Sequence, residues 1–232
     1  MTSVPTSAFS PARLLPRAAA LAMLVMASLL VTLAPAAHAG DAVAGQSKAA
    51  MCIGCHGIPG YQSSFPEVFR VPKIGGQNAG YIVASLTAYK RGERKHPTMR
   101  SISVSLTDVD MADLAAFYEA QGANLVKTVS TAPQPSPAVA ALLAKGGCAS
   151  CHGADYNKPI VAAYPKLAGQ HADYLYASLR AYGIEGNPQV GRANGVMSAQ
   201  VKPFTRAELA QMAEYFASLP GDLRTVRQSP FR

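Results

Sequence analysis

The chain has no cysteine outside two short stretches, no apolar run after residue 40 long enough to span a bilayer, and no segment of sustained apolar/polar alternation. The last absence, with no hairpin signal anywhere, argues against a sheet and leaves an all-α class. Charge is scarce as well, at 15% of residues. The basic excess, 21 Lys and Arg against 13 Asp and Glu, is spread over both halves of the chain, whereas a nucleic-acid binder concentrates it. No nucleic-acid partner is expected. The one dense run, Lys90-Arg91-Gly92-Glu93-Arg94-Lys95, reads either as a solvated helix end or as a docking patch for an acidic partner.

What is present is hydrophobic, 49% of the chain, the composition of a globular protein. At the start, Arg13 and Arg17 precede an apolar run from Ala18 to Ala34 that ends in Ala37-His38-Ala39. That is the pattern of a signal peptide over residues 1–39, removed after Ala39, and it sends the chain to an oxidising compartment. The remainder is one unit written twice. Cys52, Cys55 and His56 recur as Cys148, Cys151 and His152; Pro72-Lys73-Ile74-Gly75-Gly76-Gln77 recurs as Pro165-Lys166-Leu167-Ala168-Gly169-Gln170; Tyr81 and Tyr89 recur as Tyr174 and Tyr182; Met99 recurs as Met197. A proline-rich connector, residues 128–137, divides a domain over 40–127 from a second over 138–232. Each copy has about 90 residues, so a staple or prosthetic group is expected to supplement its small core.

Local signals in each copy are helical. Asp41, and Ser136 followed by Pro137, open a helix before each cysteine pair. Tyr81, Ile82, Ser85, Leu86 and Tyr89 fall on one face of a helix over 78–89, repeated over 172–182. A third helix opens on Thr107 with Asp110, or Thr205 with Glu208, three apart as in a capping box.

Each cysteine pair has the form C-x-x-C-H. Two disulfides are the ordinary reading of four exported cysteines, but the attached histidines argue otherwise. Zinc needs a second ligand pair that neither half offers, and dithiol redox chemistry needs a βαβ setting. The remaining reading is covalent attachment of two haem c groups. Cysteines three apart lie on one side of a helical turn, so each sulfur of Cys52 and Cys55, or Cys148 and Cys151, can form a thioether to the porphyrin edge. The next imidazole, His56 or His152, then becomes the proximal iron ligand.

The sixth ligand decides between electron transfer and chemistry on a bound molecule. Met99 and Met197 face each other across the repeat, in stretches that read as irregular and polar before the third helix. Met111 and Met212 face leucines and read as packing, and Met51 abuts Cys52. His96 is the rival ligand in the first copy. Pro72 and Pro165 are either turn formers or carbonyl partners for the N–H of the proximal imidazoles. Tyr81, Tyr89, Tyr174 and Tyr182 are expected to wall the haem pockets, as core residues first and propionate ligands second.

The two C-x-x-C-H-G sites, the P-K-[IL]-x-G-Q segments, the run Tyr164 to Leu175 and the methionine before each last helix resemble the di-haem cytochromes c of the c-four type, over essentially the whole mature chain. The resemblance implies two tandem class I cytochrome c domains related by pseudo-twofold symmetry, with adjacent haems. It further implies a periplasmic carrier of single electrons between a respiratory donor and a terminal oxidase or other acceptor. The partners implied are redox proteins, and peripheral membrane association is left open. The alternative is the cytochrome subunit of a larger dehydrogenase, such as a flavocytochrome; a di-haem peroxidase is a further rival. Two features depart from the family pattern: the longer Ile58 to Val71 stretch, which would cover the first haem edge or bind a partner, and the short loop before Met99.

Overall fold

Among the described residues each copy is built from five helices, and the side chains of Asp41, His96, Thr107, Ser136, Asn194 and Thr205 cap six of the ten. The computed structural model describes residues 39–122 and 131–227, all within one compact unit, His38–Arg232. The expected signal segment lies outside the described residues except for Ala39, and so does part of the connector, 128–130; residues 131–136 have no regular structure. In the first copy the order is α1 (Ala42–Lys48), α2 (Ala50–His56), β1 (Gln62–Ser63), β2 (Phe69–Arg70), α3 (Ala79–Arg91), β3 (Arg94–Lys95), α4 (Pro97–Val104) and α5 (Asp108–Ala120). The second copy has α6 (Pro137–Gly146), α7 (Cys148–His152), α8 (Ala172–Ala181), β4 (Gly191–Arg192), α9 (Gly195–Val201) and α10 (Arg206–Ser218). Among the described residues no helix is long and apolar enough to cross a membrane.

Both capping boxes form: Thr107 Oγ1 accepts from the N–H of Asp110 and Thr205 Oγ1 from that of Glu208, with each carboxylate returning to the threonine N–H. The last helix of each copy is the spine of its core. α5 packs on α1 and α3, burying Leu114, Ala115 and Tyr118 with Ile82 and Ala49. α10 packs on α6 and α8, burying Leu209, Met212, Ala213 and Phe216 with Leu143 and Leu175. Met111 and Met212 are core residues and Met51 is exposed.

The copies are locked by the repeated Pro-Lys-x-x-Gly-Gln segments, used reciprocally. Lys166 N–H donates to Gln77 Oε1 at 2.9 Å while Gln77 Nε2 donates to the Lys166 carbonyl at 3.1 Å. Across the pseudo-twofold axis Lys73 N–H donates to Gln170 Oε1 at 3.0 Å and Gln170 Nε2 to the Lys73 carbonyl at 2.9 Å. The ammonium groups follow the same exchange, Lys73 Nζ to the Gly169 carbonyl and Lys166 Nζ to that of Gly76. Gly76 and Gly169 hold φ of +79° and +74°, a left-handed turn that favours glycine. The C-terminal tail completes the lock, Arg224 pairing with Gly75 through both backbone bonds.

Strands are few, but they correct the expectation that there is no hairpin. Within the Ile58 to Val71 stretch, β1 and β2 pair antiparallel, Ser63 opposite Phe69. The stretch is bound by the second copy: Arg70 donates to Asp173 through both its backbone N–H and Nε, each at 3.0 Å, and Glu67 pairs with Arg180. The basic run is corrected at Arg94; Lys90 and Arg91, in the last turn of α3, are exposed as the solvated-end reading has them. Arg94 is neither solvated nor free for docking: it is buried at 9% exposure, because β3 pairs antiparallel with β4 of the other copy, Arg94 opposite Arg192.

Candidate haem sites

The cysteine pairs sit where a helix ends against its own copy's spine. Gly57 terminates α2 directly after His56, and Gly153 terminates α7 after His152. Each pair lies on one short helix, so its two sulfurs share a face and the histidine follows on the next step of the turn. All four cysteines are half-buried, and none is paired in a disulfide. Burial pushes the thiols of Cys52 and Cys148 above the ordinary value.

His56 Nδ1–H donates to the Pro72 carbonyl at 2.9 Å, and His152 Nδ1–H to that of Pro165 at 3.0 Å. A carbonyl can only accept, so the proton sits on Nδ1 and the lone pair on Nε2. Burial lowers the pKa of both rings, the prolyl carbonyls opposing it only in part, and so favours the neutral imidazole that a metal needs.

Met99 and Met197 occupy equivalent positions in short helices, which corrects their assignment to irregular stretches. His96 caps α4, its Nδ1 accepting from the Met99 N–H at 3.4 Å; Asn194 caps α9, its Oδ1 accepting from the Met197 N–H at 2.9 Å. Each methionine is therefore the third residue of its helix, tied to the capping side chain. His96, the rival ligand, uses Nδ1 for this cap.

One continuous cavity of about 630 Å³ is lined by all four cysteines, by His56, His152, Met99 and Met197, and by Pro72, Pro165, Tyr81, Tyr89, Tyr174 and Tyr182. Residues of the β1–β2 hairpin, including Tyr61, Phe65 and Phe69, line it too. Paired thiols, Nδ1-tethered imidazoles and thioether side chains on a mostly apolar wall form the donor set that suits haem c. Two residues that the sequence reading did not assign to the haem sites also line it: Arg94, with Nε buried and unpartnered, and the half-buried Arg192. Arg94 donates to Tyr174 (2.6 Å), Ser85 (2.9 Å) and Tyr81 (3.3 Å) and lies over the ring of Tyr89, 4.5 Å from its centroid. Their repeat correspondence was the available signal, since Arg94 stands to Arg192 as Met99 stands to Met197.

A cytochrome c family model matches residues 138–220. A cytochrome c4 from Pseudomonas aeruginosa is 32% identical, spanning 84% of this chain and 98% of that protein. A cytochrome c4 from Azotobacter vinelandii is also 32% identical, over the same shares. A crystal structure of reduced recombinant cytochrome c4 from Pseudomonas stutzeri superposes with a TM-score of 0.58 at 28% identity, over 78% of this chain and 100% of that one. With two repeats, two C-x-x-C-H sites and this length of correspondence, the chain belongs to the cytochrome c4 family: an electron-transfer protein of two class I cytochrome c domains carrying two covalently bound haem c groups.

Proposed function

We propose that Cys52 and Cys55 hold one haem and Cys148 and Cys151 the other through thioether bonds, with His56 and Met99 as axial ligands of the first iron and His152 and Met197 of the second. The protein then carries single electrons in the periplasm between a respiratory donor and a terminal oxidase or other acceptor. The observation that carries this reading is the shared cavity, where both imidazoles and both methionines of the repeat meet the four cysteines. Haem supplies a one-electron ferric/ferrous couple. Pro72 and Pro165 orient the imidazoles, and the caps from His96 and Asn194 fix the backbone of each methionine. A thioether ligand raises the reduction potential, and a filled sixth position keeps small reactants off the metal, which argues for outer-sphere transfer and against the peroxidase reading. The Ala37-His38-Ala39 site supports export.

The test is mass measurement and haem staining of the mature protein, then the ferric far-red spectrum of Met99→Ala and Met197→Ala. Two covalent haems, and loss of half the methionine-to-iron band in each variant, are expected. A band untouched in both variants overturns the ligation.

A second reading has its own observation. A thiosulfate dehydrogenase electron acceptor from Stutzerimonas stutzeri is 29% identical, over 84% of this chain and 92% of that protein. The thiosulfate dehydrogenase TsdBA from Marichromatium purpuratum superposes at a TM-score of 0.56, 27% identity and 77% of this chain, covering 40% of that one. On this reading the chain serves a dedicated dehydrogenase that oxidises a sulfur compound. Stoichiometric co-purification of a catalytic subunit would favour it over the free carrier.

A further inference from the structure

Resting on the two-haem reading, we infer that Arg94 and Arg192 form one anion site shared by both copies, which neutralises the propionate carboxylates of both haems and ties their reduction potentials together. The two arginines face each other across the β3–β4 pairing, on the pseudo-twofold axis. Among the described residues neither forms an ion pair with a carboxylate. Their partners are hydroxyls instead: Arg192 donates to Ser178 at 2.6 Å and to Tyr174 at 3.3 Å, and Arg94 donates to the same Tyr174 at 2.6 Å. Arg94 Nε, more than nine-tenths buried, has no partner in a cavity that both ligand sets line.

Two guanidiniums side by side in a low-dielectric interior repel, and each carries a desolvation cost that hydroxyls do not offset. Tyr174 registers the excess: burial would raise its hydroxyl, yet the two arginines hold it down at about 7. A haem carries two carboxylates on one edge, and a planar guanidinium fork matches a carboxylate bidentately. Arg94 reaches the hydroxyl of Tyr174 on the other copy, the same hydroxyl to which Arg192 donates, so the two guanidiniums converge on one point of the boundary between the copies.

The test is potentiometry of the holoprotein, both haem midpoints resolved, in wild type, Arg94→Gln, Arg192→Gln and Arg94→Lys. Removing a positive charge leaves a carboxylate uncompensated and stabilises ferric iron, so each glutamine variant lowers both midpoints, while lysine restores most of the shift. A variant that moves one midpoint alone, or neither, overturns the shared site. Should Arg94→Gln fail to load haem, Arg192→Gln carries the same two-midpoint criterion. A wild-type mass showing fewer than two haems fails the underlying reading instead, and is seen before any potential is measured.

Discussion

Replacing Gln77 with alanine tests whether the reciprocal glutamines hold the two copies together. Gln77 is 3% exposed, and its amide makes two bonds across the boundary, accepting from Lys166 N–H and donating to the Lys166 carbonyl. Truncation leaves both backbone groups without a partner. An unsatisfied buried polar group costs about 1–3 kcal/mol, so two of them, half reachable by water at Lys166, give about 2–4 kcal/mol. The half-exposed ion pair between Arg70 and Asp173 is worth about 1 kcal/mol by comparison. The glutamine bonds should therefore dominate docking of the copies.

The assay is equilibrium guanidinium unfolding of the di-haem protein, followed by both far-UV circular dichroism and haem absorbance. Q77A should lower the unfolding free energy by about 2–4 kcal/mol and separate the two probes' transitions, because the copies lose their common cooperativity. Q77A with Q170A should cost less than the sum of the single variants, since each opens the boundary that the other secures. A loss below about 0.5 kcal/mol, the range of an ordinary surface change, would refute the reasoning.

Two other outcomes follow from the same boundary. Gly76→Ala should destabilise by about 2 kcal/mol or more, since φ of +79° strains any side chain and a Cβ would collide with the Asp222 carbonyl. Gly60→Ala, with a similar φ of +75° and open space around it, isolates the conformational part, and equal losses at both sites in thermal unfolding would remove the collision. At Asp173, burial opposes ionisation, but the bonds from Arg70 outweigh it and hold the carboxyl below its ordinary value. A depressed folded value gives a contribution present above the unfolded value, near ~3.9, and lost as pH falls through the folded one. The Arg70 amide resonance of the ferrous protein should hold steady from neutral pH and step below that value; a step centred above it would reverse the sign.

The repeat was legible because its motifs recur in the same order, and the capping boxes and cysteine motifs because each rests on neighbours within one turn. Thr107 with Asp110 and Thr205 with Glu208 are local pairs, and so is each C-x-x-C-H. What stayed hidden depends on contacts between copies. Arg94 reads as one more cation in a basic run, and only pairing with Arg192, nearly a full repeat away, buries it. The β1–β2 hairpin has strands of two residues, too short for alternation to register. The helices bearing Met99 and Met197 are also short for a periodic signal, although Pro97 after His96 and Asn194 before Gly195 are starts of the expected kind.

The Pro-Lys-x-x-Gly-Gln segment joins these levels. Its proline carbonyl takes the Nδ1–H of the histidine in its own copy, while its lysine and glutamine, one and five residues later, bind the other copy. One short loop thus sets the imidazole and the distance to the neighbouring domain at once. Orientation of each proximal ring is thereby coupled to docking: a chain in which the copies separate also frees the loop that holds the ring. Two haem domains joined only by a proline-rich connector would keep their ligands and lose this coupling. The duplicated motif is therefore an interface element as much as a ligand support, and the family fingerprint marks a pair rather than a single domain.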